Sequence, residues 1–192
     1  MIKTGIYGGS FNPVHNGHIA LARQLLAAAS LDEVWFVVSP QNPFKQASSD
    51  LLDDAKRLEL VRLALAGDDH LIACDYEYHL PKPSYTWHTL QSMSRDYPDH
   101  QFTLLIGADN WLTFGRWYHS RDILSCYSIA IYPRQDSPTD ASSLPANVRL
   151  VDAKLYDISS SEIRLRIRSG LSVSGLVPDV IIDKVMACYS KG

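Results

Sequence analysis

The sequence has few cysteines and no long apolar run. Its cysteines are Cys74, Cys126 and Cys188, each more than fifty residues from the next. No pair has the spacing of zinc ligands, and a disulfide framework would need a denser and even set. The N-terminal residues contain no hydrophobic signal segment, and no stretch approaches the roughly 18 apolar residues of a membrane span. We therefore expect a reduced, cytoplasmic protein with no resident metal and no membrane partner.

Positive charge is also scarce, because 18 Lys and Arg face 21 Asp and Glu, a net charge of −3. A mildly acidic chain has no general attraction for nucleic acid or anionic membranes, so any anion site must be local. We expect no nucleic-acid partner. The 192 residues are enough for one buried core and too few for two, which predicts a single domain over residues 1–192.

Short β-rich segments alternate with longer helical segments along the chain. Strands are predicted at residues 2–7, 33–39, 70–73, 102–106, 128–132 and 148–151, and helices at 17–29, 51–66, 85–97, 159–169 and 178–190. This alternation is typical of a parallel sheet covered by helices on both faces. Right-handed crossovers then favour a Rossmann-like, doubly wound α/β fold with a strand order of about 3-2-1-4-5.

The most informative segment is residues 8–18, GGSFNPVHNGH, which joins the first strand to the first helix. Gly8 and Gly9 let backbone N–H groups approach an anion, and the helix start adds a positive dipole end. His15 and His18 flank the glycine that enters the helix, so both imidazoles can face one phosphate group. The dinucleotide fingerprint and the P-loop are both absent. The segment predicts a phosphate site of another kind, and a plain helix cap is the weaker explanation.

A second segment, ISSSEIR, predicts a helix start, because Ser159 and Glu162 fit the capping box. One serine is enough for the cap. The additional Ser160 and Ser161, with Arg164 one turn further on, would place hydroxyl groups and a guanidinium around a polyphosphate. The segment alone is explained equally well by a cap. Together with the histidine segment it favours a phosphate site.

A third candidate site follows the strand predicted at residues 102–106. Gly107 and Asp109 come directly after this strand, and Trp117 lies ten residues past the glycine. In a doubly wound sheet the first and fourth strands are neighbours, and ligands bind beyond their carboxyl ends. An aspartate there suits ribose hydroxyls, and a tryptophan can stack on a flat ring. The alternative, a capping aspartate and a packing tryptophan, stays open.

The helix predicted at residues 85–97 begins with Tyr85 and Thr86. A helix N-terminus attracts a carboxylate, although simple capping explains the same residues. Lys45 lies in the polar segment 41–50, where it can either reach a phosphate or remain solvated. Neither feature decides a function by itself.

Taken together, these motifs resemble the nucleotidylyltransferase superfamily and, within it, the bacterial nicotinate-nucleotide adenylyltransferases. The resemblance rests on the two segments GGSFNPVHNGH and ISSSEIR. Three further motifs support it: P-x-x-P-x-K at 40–45, Y-T-x-x-T-L at 85–90, and G-A-D followed by Trp117. It extends from Ile2 to the closing helices. Ser161 stands where many relatives have threonine, a change that keeps the hydroxyl group.

The resemblance implies transfer of the adenylyl group of ATP to nicotinate mononucleotide, with Mg²⁺ accompanying ATP and pyrophosphate released. The implied catalytic residues are His15, His18 and Arg164. The implied ATP contacts are Gly8, Gly9, Ser10, Phe11, His15, His18, Gly107, Asp109, Ser160, Ser161 and Arg164. The implied nicotinate mononucleotide contacts are Lys45, Tyr85, Thr86 and Trp117. The expected product is nicotinate adenine dinucleotide, in NAD biosynthesis.

Two other functions stay open from the residues. One is adenylyl or cytidylyl transfer to another acceptor, such as pantetheine phosphate or a sugar phosphate. The other is a non-catalytic adenine-nucleotide sensor with the same fold. A related cytidylyltransferase would usually show GTFD near residues 9–12, and a pantetheine-phosphate adenylyltransferase would carry threonine in place of His15. The sequence leaves the oligomeric state undecided, including a homo-oligomer.

Overall fold

Six strands pair into one fully parallel sheet in the computed structural model, which describes residues 1–40 and 50–190. The strands are β1 (Ile2–Gly9), β2 (Glu33–Val38), β3 (Leu71–Cys74), β4 (His100–Gly107), β5 (Ser128–Tyr132) and β6 (Val148–Leu150). Their order is β3-β2-β1-β4-β5-β6. The predicted order 3-2-1-4-5 is confirmed, and the short run near residue 148 extends it as an edge strand beside β5.

Seven α-helices connect and cover these strands in the described part of the chain. They are α1 (Asn16–Ala28), α2 (Asp54–Leu65), α3 (Thr86–Asp96), α4 (Ala108–Thr113), α5 (Ser120–Cys126), α6 (Ser160–Arg168) and α7 (Ile182–Tyr189). The five predicted helices are confirmed, with ends shifted by one to four residues. The sequence pattern does not predict α4 and α5, since six and seven residues are too few for a repeating apolar face. None of the described helices is long and apolar enough to cross a membrane.

Buried apolar residues form two cores, one on each face of the sheet. Successive side chains of a strand point to opposite faces. Tyr7 and Phe36 therefore pack with α1, α2, α6 and α7, whereas Ile6 and Trp35 pack with α3, α4 and α5. Removal of this apolar surface from water is the main stabilising contribution to the fold. Helices cover both faces, as predicted.

The carboxyl ends of β1 and β4 lie side by side at the centre of the sheet. The two strands pair in parallel register, with Tyr7 opposite Leu105. The chain leaves β1 for α1 on one face and leaves β4 for α4 on the other. An open α/β sheet forms a crevice where the winding reverses in this way. Most of the candidate residues lie around this crevice.

Candidate active site

Two histidines cap the amino end of α1. His15 is the N-cap residue, and its Nδ1 accepts a hydrogen bond from the backbone N–H of His18 at 3.3 Å. The Nδ1 of His18 in turn accepts from the backbone N–H of His15 at 3.3 Å. The two rings stack with their centroids 3.6 Å apart. The arrangement is a reciprocal capping box made from two imidazoles.

The cap determines which ring nitrogen of each histidine carries the proton. Because Nδ1 is an acceptor in both rings, each neutral imidazole must hold its proton on Nε2. Burial, together with the nearby Arg134 charge, lowers the pKa of His15 to about 4. Burial and the charges of His15 and Arg134 lower the pKa of His18 well below its usual range. Near pH 7 both rings are therefore neutral, and each offers one donor at Nε2.

Both histidines line a cavity of about 220 Å³ at the carboxyl end of β1, which we name the histidine cavity. Its wall also contains two cations, Arg134 and Lys154, and the hydroxyl groups of Ser159 and Ser160. No carboxylate side chain belongs to this wall in residues 1–40 and 50–190. Donors and cations without an opposing acid suit an anion.

The start of α6 lies on the wall of the histidine cavity. Ser159 caps the helix by accepting a hydrogen bond from the backbone N–H of Glu162 at 3.1 Å, so the predicted serine cap is present. Ser160 Oγ donates to the carbonyl of Pro13 at 2.9 Å. Ser160 thus joins α6 to the loop that precedes α1.

Arg164 lies one turn into α6 and contacts the same loop. Its Nη1 donates to the carbonyl of Asn12 at 2.7 Å, and its Nη2 donates to Ser161 Oγ at 3.3 Å. Its Nε is buried and has no hydrogen-bond partner among the described residues. Arg164 and Ser161 are not among the described residues that line the histidine cavity. The guanidinium group therefore holds the loop against α6.

Ser10 and Phe11 begin the loop between β1 and α1. Phe11 has a left-handed backbone conformation with φ of 44°, which is unfavourable for a bulky residue. Its ring packs at 5.1 Å from the His18 ring and 5.2 Å from the Phe36 ring, between centroids. The carbonyl of Ser10 accepts a hydrogen bond from Arg57 Nη1 at 2.5 Å. Buried side chains on both sides thus hold the loop in place.

Gly107, the last residue of β4, lies close to the side chain of Arg134, which follows β5. A Cβ on Gly107 would collide with Asp109 Oδ1 and come within 3.0 Å of Arg134 Nε, so both side chains would have to move. Asp109 forms an ion pair with Arg134 at 3.7 Å between Oδ1 and Nε. The guanidinium carbon of Arg134 also lies 5.1 Å from the centroid of the Tyr132 ring. Arg134 therefore connects the predicted aspartate to the wall of the histidine cavity.

A larger cavity of about 460 Å³, which we name the tryptophan cavity, opens on the side of the sheet that faces α3 and α4. It brings together Gly8, Gly9, Thr86 and Trp117, which come from three distant segments of the chain. Arg116 is a cation on the same wall. The two cavities adjoin, since Tyr7 lines one, Tyr132 lines the other, and their ring centroids are 6.1 Å apart.

Helix α3 begins at the tryptophan cavity without a side-chain cap. Tyr85 is the N-cap residue, and its side chain makes no capping hydrogen bond. Its ring lies against Tyr118 instead, with centroids 4.9 Å apart. The first N–H groups of a helix have no partner within the helix, and its dipole is positive at this end. The start of α3, beside Thr86, thus presents donors to the cavity.

The sequence motifs miss several residues of these cavities, among them Arg134 and Glu77. Arg134 follows β5 by two residues. Because ligands of an open α/β sheet bind beyond the carboxyl ends of its strands, the argument that selects Gly107 also selects Arg134. Glu77 lies between β3 and α3, where no repeating pattern marks it. The predicted contact Lys45 lies outside the described residues.

The buried histidine cap is expected to make the protein less stable in acid. The pKa of His15 is about 4 in the folded chain and near 6.5 in the unfolded chain, so the unfolded chain binds more protons between these values. The free energy of unfolding therefore falls by about 3 kcal/mol from His15 alone as the pH drops through this range. Denaturant titrations of the natural chain and of His15→Asn, a capping residue that does not titrate, measure the effect. The same pH dependence in both chains would contradict it.

Comparisons with known proteins place this architecture among nucleotidyl-transferring enzymes. The sequence model of the cytidylyltransferase-like family matches residues 6–166. A protein of Bacteroides fragilis named "Probable nicotinate-nucleotide adenylyltransferase" is 45% identical over 184 residues, which cover 96% of this chain and 91% of that protein. The protein of the same name from Bacteroides thetaiotaomicron is 50% identical over 163 residues, which cover 85% of this chain and 80% of that protein.

A solved structure has the same fold at low sequence identity. The nicotinic acid mononucleotide adenylyltransferase of Plasmodium falciparum, complexed with NaAD, superposes with a TM-score of 0.79 and 20% sequence identity. The superposition covers 97% of this chain and 96% of that one. At this identity the similarity concerns the fold.

Proposed function

The chain belongs to the cytidylyltransferase-like family and, within it, to the nicotinate-nucleotide adenylyltransferases, and from this membership we propose that it transfers the adenylyl group of ATP to nicotinate mononucleotide. The products are nicotinate adenine dinucleotide and pyrophosphate, which makes the reaction a step of NAD biosynthesis. The observation that carries the proposal is the pair of adjoining cavities at the carboxyl ends of β1 and β4. One offers imidazole donors and cations, and the other offers an uncapped helix start beside a tryptophan.

The phosphates of ATP bind in the histidine cavity. The phosphate of the acceptor attacks the α-phosphorus in line, and negative charge spreads over the phosphoryl oxygens in the transition state. The Nε2–H groups of His15 and His18, already oriented by their reciprocal cap, donate to these oxygens together with Arg134. The protein thus supplies position and charge stabilisation, and no covalent enzyme intermediate is needed.

The remaining ATP contacts surround the two strand ends. The backbone at Ser10 and Phe11 borders the adenosine, and Gly107 and Asp109 hold its ribose. Gly8 and Gly9 line the tryptophan cavity, so their contact with the adenosine stays a prediction. Ser160, on the wall of the histidine cavity, meets the β/γ-phosphate end. For Ser161 and Arg164 the same assignment stays a prediction, since their described hydrogen bonds join each other and the carbonyl of Asn12.

Nicotinate mononucleotide binds in the tryptophan cavity. Its carboxylate meets the uncapped start of α3 at Tyr85 and Thr86, where N–H groups and the helix dipole favour a negative charge. Trp117 stacks on the pyridine ring. The contact of Lys45 with the acceptor phosphate stays a prediction.

Mg²⁺ enters the reaction with ATP as part of the substrate. No group of three or more His, Cys, Asp or Glu side chains among the described residues is arranged to hold a metal ion. Mg²⁺ prefers oxygen ligands and is commonly held by substrate phosphates and water. The described wall of the histidine cavity has no carboxylate that could bind Mg²⁺, which fits a Mg²⁺ ion that the ATP phosphates bring with them.

Two expectations about the whole chain remain predictions: a single domain over residues 1–192 and a cytoplasmic location. The oligomeric state stays undecided. The three cysteines are free in the described residues, and their reduced state stays a prediction.

Pyrophosphate release across a small panel of acceptors tests the proposed function. We expect the highest kcat/KM with ATP and nicotinate mononucleotide, and lower values with nicotinamide mononucleotide, pantetheine phosphate and CTP in place of ATP. Faster release with pantetheine phosphate or with CTP would identify a different nucleotidyl transfer. Binding of ATP without pyrophosphate release from any acceptor would identify a nucleotide sensor.

A further inference from the structure

Glu77 is a buried acid on the wall of the tryptophan cavity that the proposed chemistry does not use. It lies in a short 3₁₀ helix, Tyr76–His79, between β3 and α3. Only 8% of its surface is exposed. The same wall holds Thr86 and Trp117, the residues assigned to the acceptor. A carboxyl group in this place needs an explanation, because burying an acid costs stability unless it is well bonded.

The hydroxyl group of Thr89 bonds to this carboxyl group, and Ser39 and Ser84 line the same cavity. Thr89 Oγ1, one turn into α3, donates to Glu77 Oε1 at 2.9 Å. The hydroxyl groups of Ser39, just after β2, and of Ser84, just before α3, also stabilise its ionised form. Glu77 Oε2 and Ser84 Oγ are both buried and lack a well-formed hydrogen bond among the described residues. The carboxyl group thus lies where the end of β2, the segment before α3 and the first turn of α3 meet.

Glu77 has no cationic partner among the described residues. Its carboxyl group takes part in no ion pair within residues 1–40 and 50–190. Burial raises its pKa, and the hydroxyl groups of Thr89, Ser39 and Ser84 oppose the rise. Burial raises the pKa of the Cys74 thiol to about 11, and the charge of Glu77 contributes to this rise. The hydroxyl group of Thr89, rather than a cation, therefore holds the carboxyl group.

Helix α3 needs such an anchor because its first turn has no cap of its own. Thr86 and Thr89 are three residues apart, so they lie on the same face of α3. The hydrogen bond from Thr89 to Glu77 therefore sets the position of Thr86 and of the unpaired N–H groups beside it.

We propose that Glu77 is a positioning residue that holds the start of α3 against the end of β2, so that the helix start meets the carboxylate of the acceptor. The inference rests on the proposed function, since it concerns the acceptor side of that reaction. Glu77 acts through Thr89 and α3 and leaves the ATP side untouched.

Steady-state kinetics of Glu77→Gln and Thr89→Val test the inference. Glutamine keeps the size of the side chain but replaces one acceptor oxygen by an amide donor that faces hydroxyl groups. We expect KM for nicotinate mononucleotide to rise about tenfold in each variant, the usual effect of losing one hydrogen bond to a charged group. KM for ATP should stay within about twofold, and Thr89→Ser, which keeps the hydroxyl, should restore most of the acceptor affinity.

Glu59→Gln is the matched control, because it makes the same change at an exposed carboxylate that pairs with Lys184 at 2.6 Å. We expect wild-type values of both KM constants for it. Thermal unfolding of every variant separates positioning from general destabilisation.

An acceptor KM within about twofold of wild type in Glu77→Gln or Thr89→Val would overturn the inference, since a lost bond to a charged group has a larger effect. So would equal rises in both KM constants with a lowered Tm, which indicate packing alone. If Glu77→Gln does not fold, the pair Thr89→Val and Thr89→Ser decides. No activity in the wild-type chain would overturn the proposed function, and this inference with it.

Discussion

Replacing His18 with alanine is expected to lower kcat about 10²- to 10³-fold, as the loss of one preorganised donor to transition-state charge does in other enzymes. The ring lies on the wall of the histidine cavity, and its Nε2–H is free to donate because Nδ1 is used by the cap. Alanine also removes that cap, so pyrophosphate release and thermal unfolding must be measured on the same preparation. A drop of less than about threefold with the fold intact would remove His18 from the mechanism.

Two further substitutions separate the cap of His18 from its donor. Asparagine places an amide group near the position of Nδ1, so His18→Asn keeps an acceptor for the His15 N–H and lacks the outer donor. Glutamine is a usual third residue of a capping box and also carries an amide donor, so His18→Gln keeps both the cap and a donor. We expect both variants to be stable, the asparagine variant to be slow and the glutamine variant to be faster. Equal rates close to wild type in both variants would assign the role of His18 to the cap.

His70→Ala is the matched control for these substitutions. This exposed histidine precedes β3 at the amino ends of the strands, and its Nδ1 lies 2.9 Å from the carbonyl oxygen of Asp32. It is therefore at the opposite end of the sheet from both cavities. We expect a wild-type kcat for this variant, and a comparable loss would show that the assay reports general damage.

Nicotinate mononucleotide is expected to exceed nicotinamide mononucleotide in kcat/KM by about 10- to 100-fold, the usual difference between a hydrogen bond to a charged group and one to a neutral group. The reason is the uncapped start of α3 on the wall of the tryptophan cavity. A carboxylate gains from the unpaired N–H groups and from the helix dipole, whereas a neutral carboxamide gains little. A ratio near one would contradict this account of the acceptor site.

Thr86→Val identifies which donors make this distinction. The substitution removes the side-chain hydroxyl and keeps the backbone N–H groups of the helix start. We expect most of the preference for the acid to persist, because the helix start and its dipole are unchanged. Loss of the whole preference would assign the discrimination to the Thr86 hydroxyl.

Local patterns in the chain were enough to predict the order of the first five strands and the proximity of His15 and His18, although the helix cap that the two rings form is the explanation that the sequence ranked lower. Alternating strands and helices with right-handed crossovers leave few topologies, and the observed order of the first five strands is the predicted one. His15 and His18 meet because they are three residues apart at a helix start, a contact that spacing alone produces. The serine cap of α6 is local for the same reason.

The tertiary structure alone decided which distant residues share a cavity and which protonation states they hold. Arg164 bonds to the carbonyl of a residue 152 positions away, Asn12, and Arg134, which follows β5, lies on the same cavity wall as the two histidines. The neutral state of the two histidines and the raised pKa of Glu77 both arise from burial among segments far apart in the chain. Burial and long-range contacts depend on how the two faces of the sheet pack. No periodicity within a single segment encodes them, because the periodicity of a segment reports only which of its own faces is apolar.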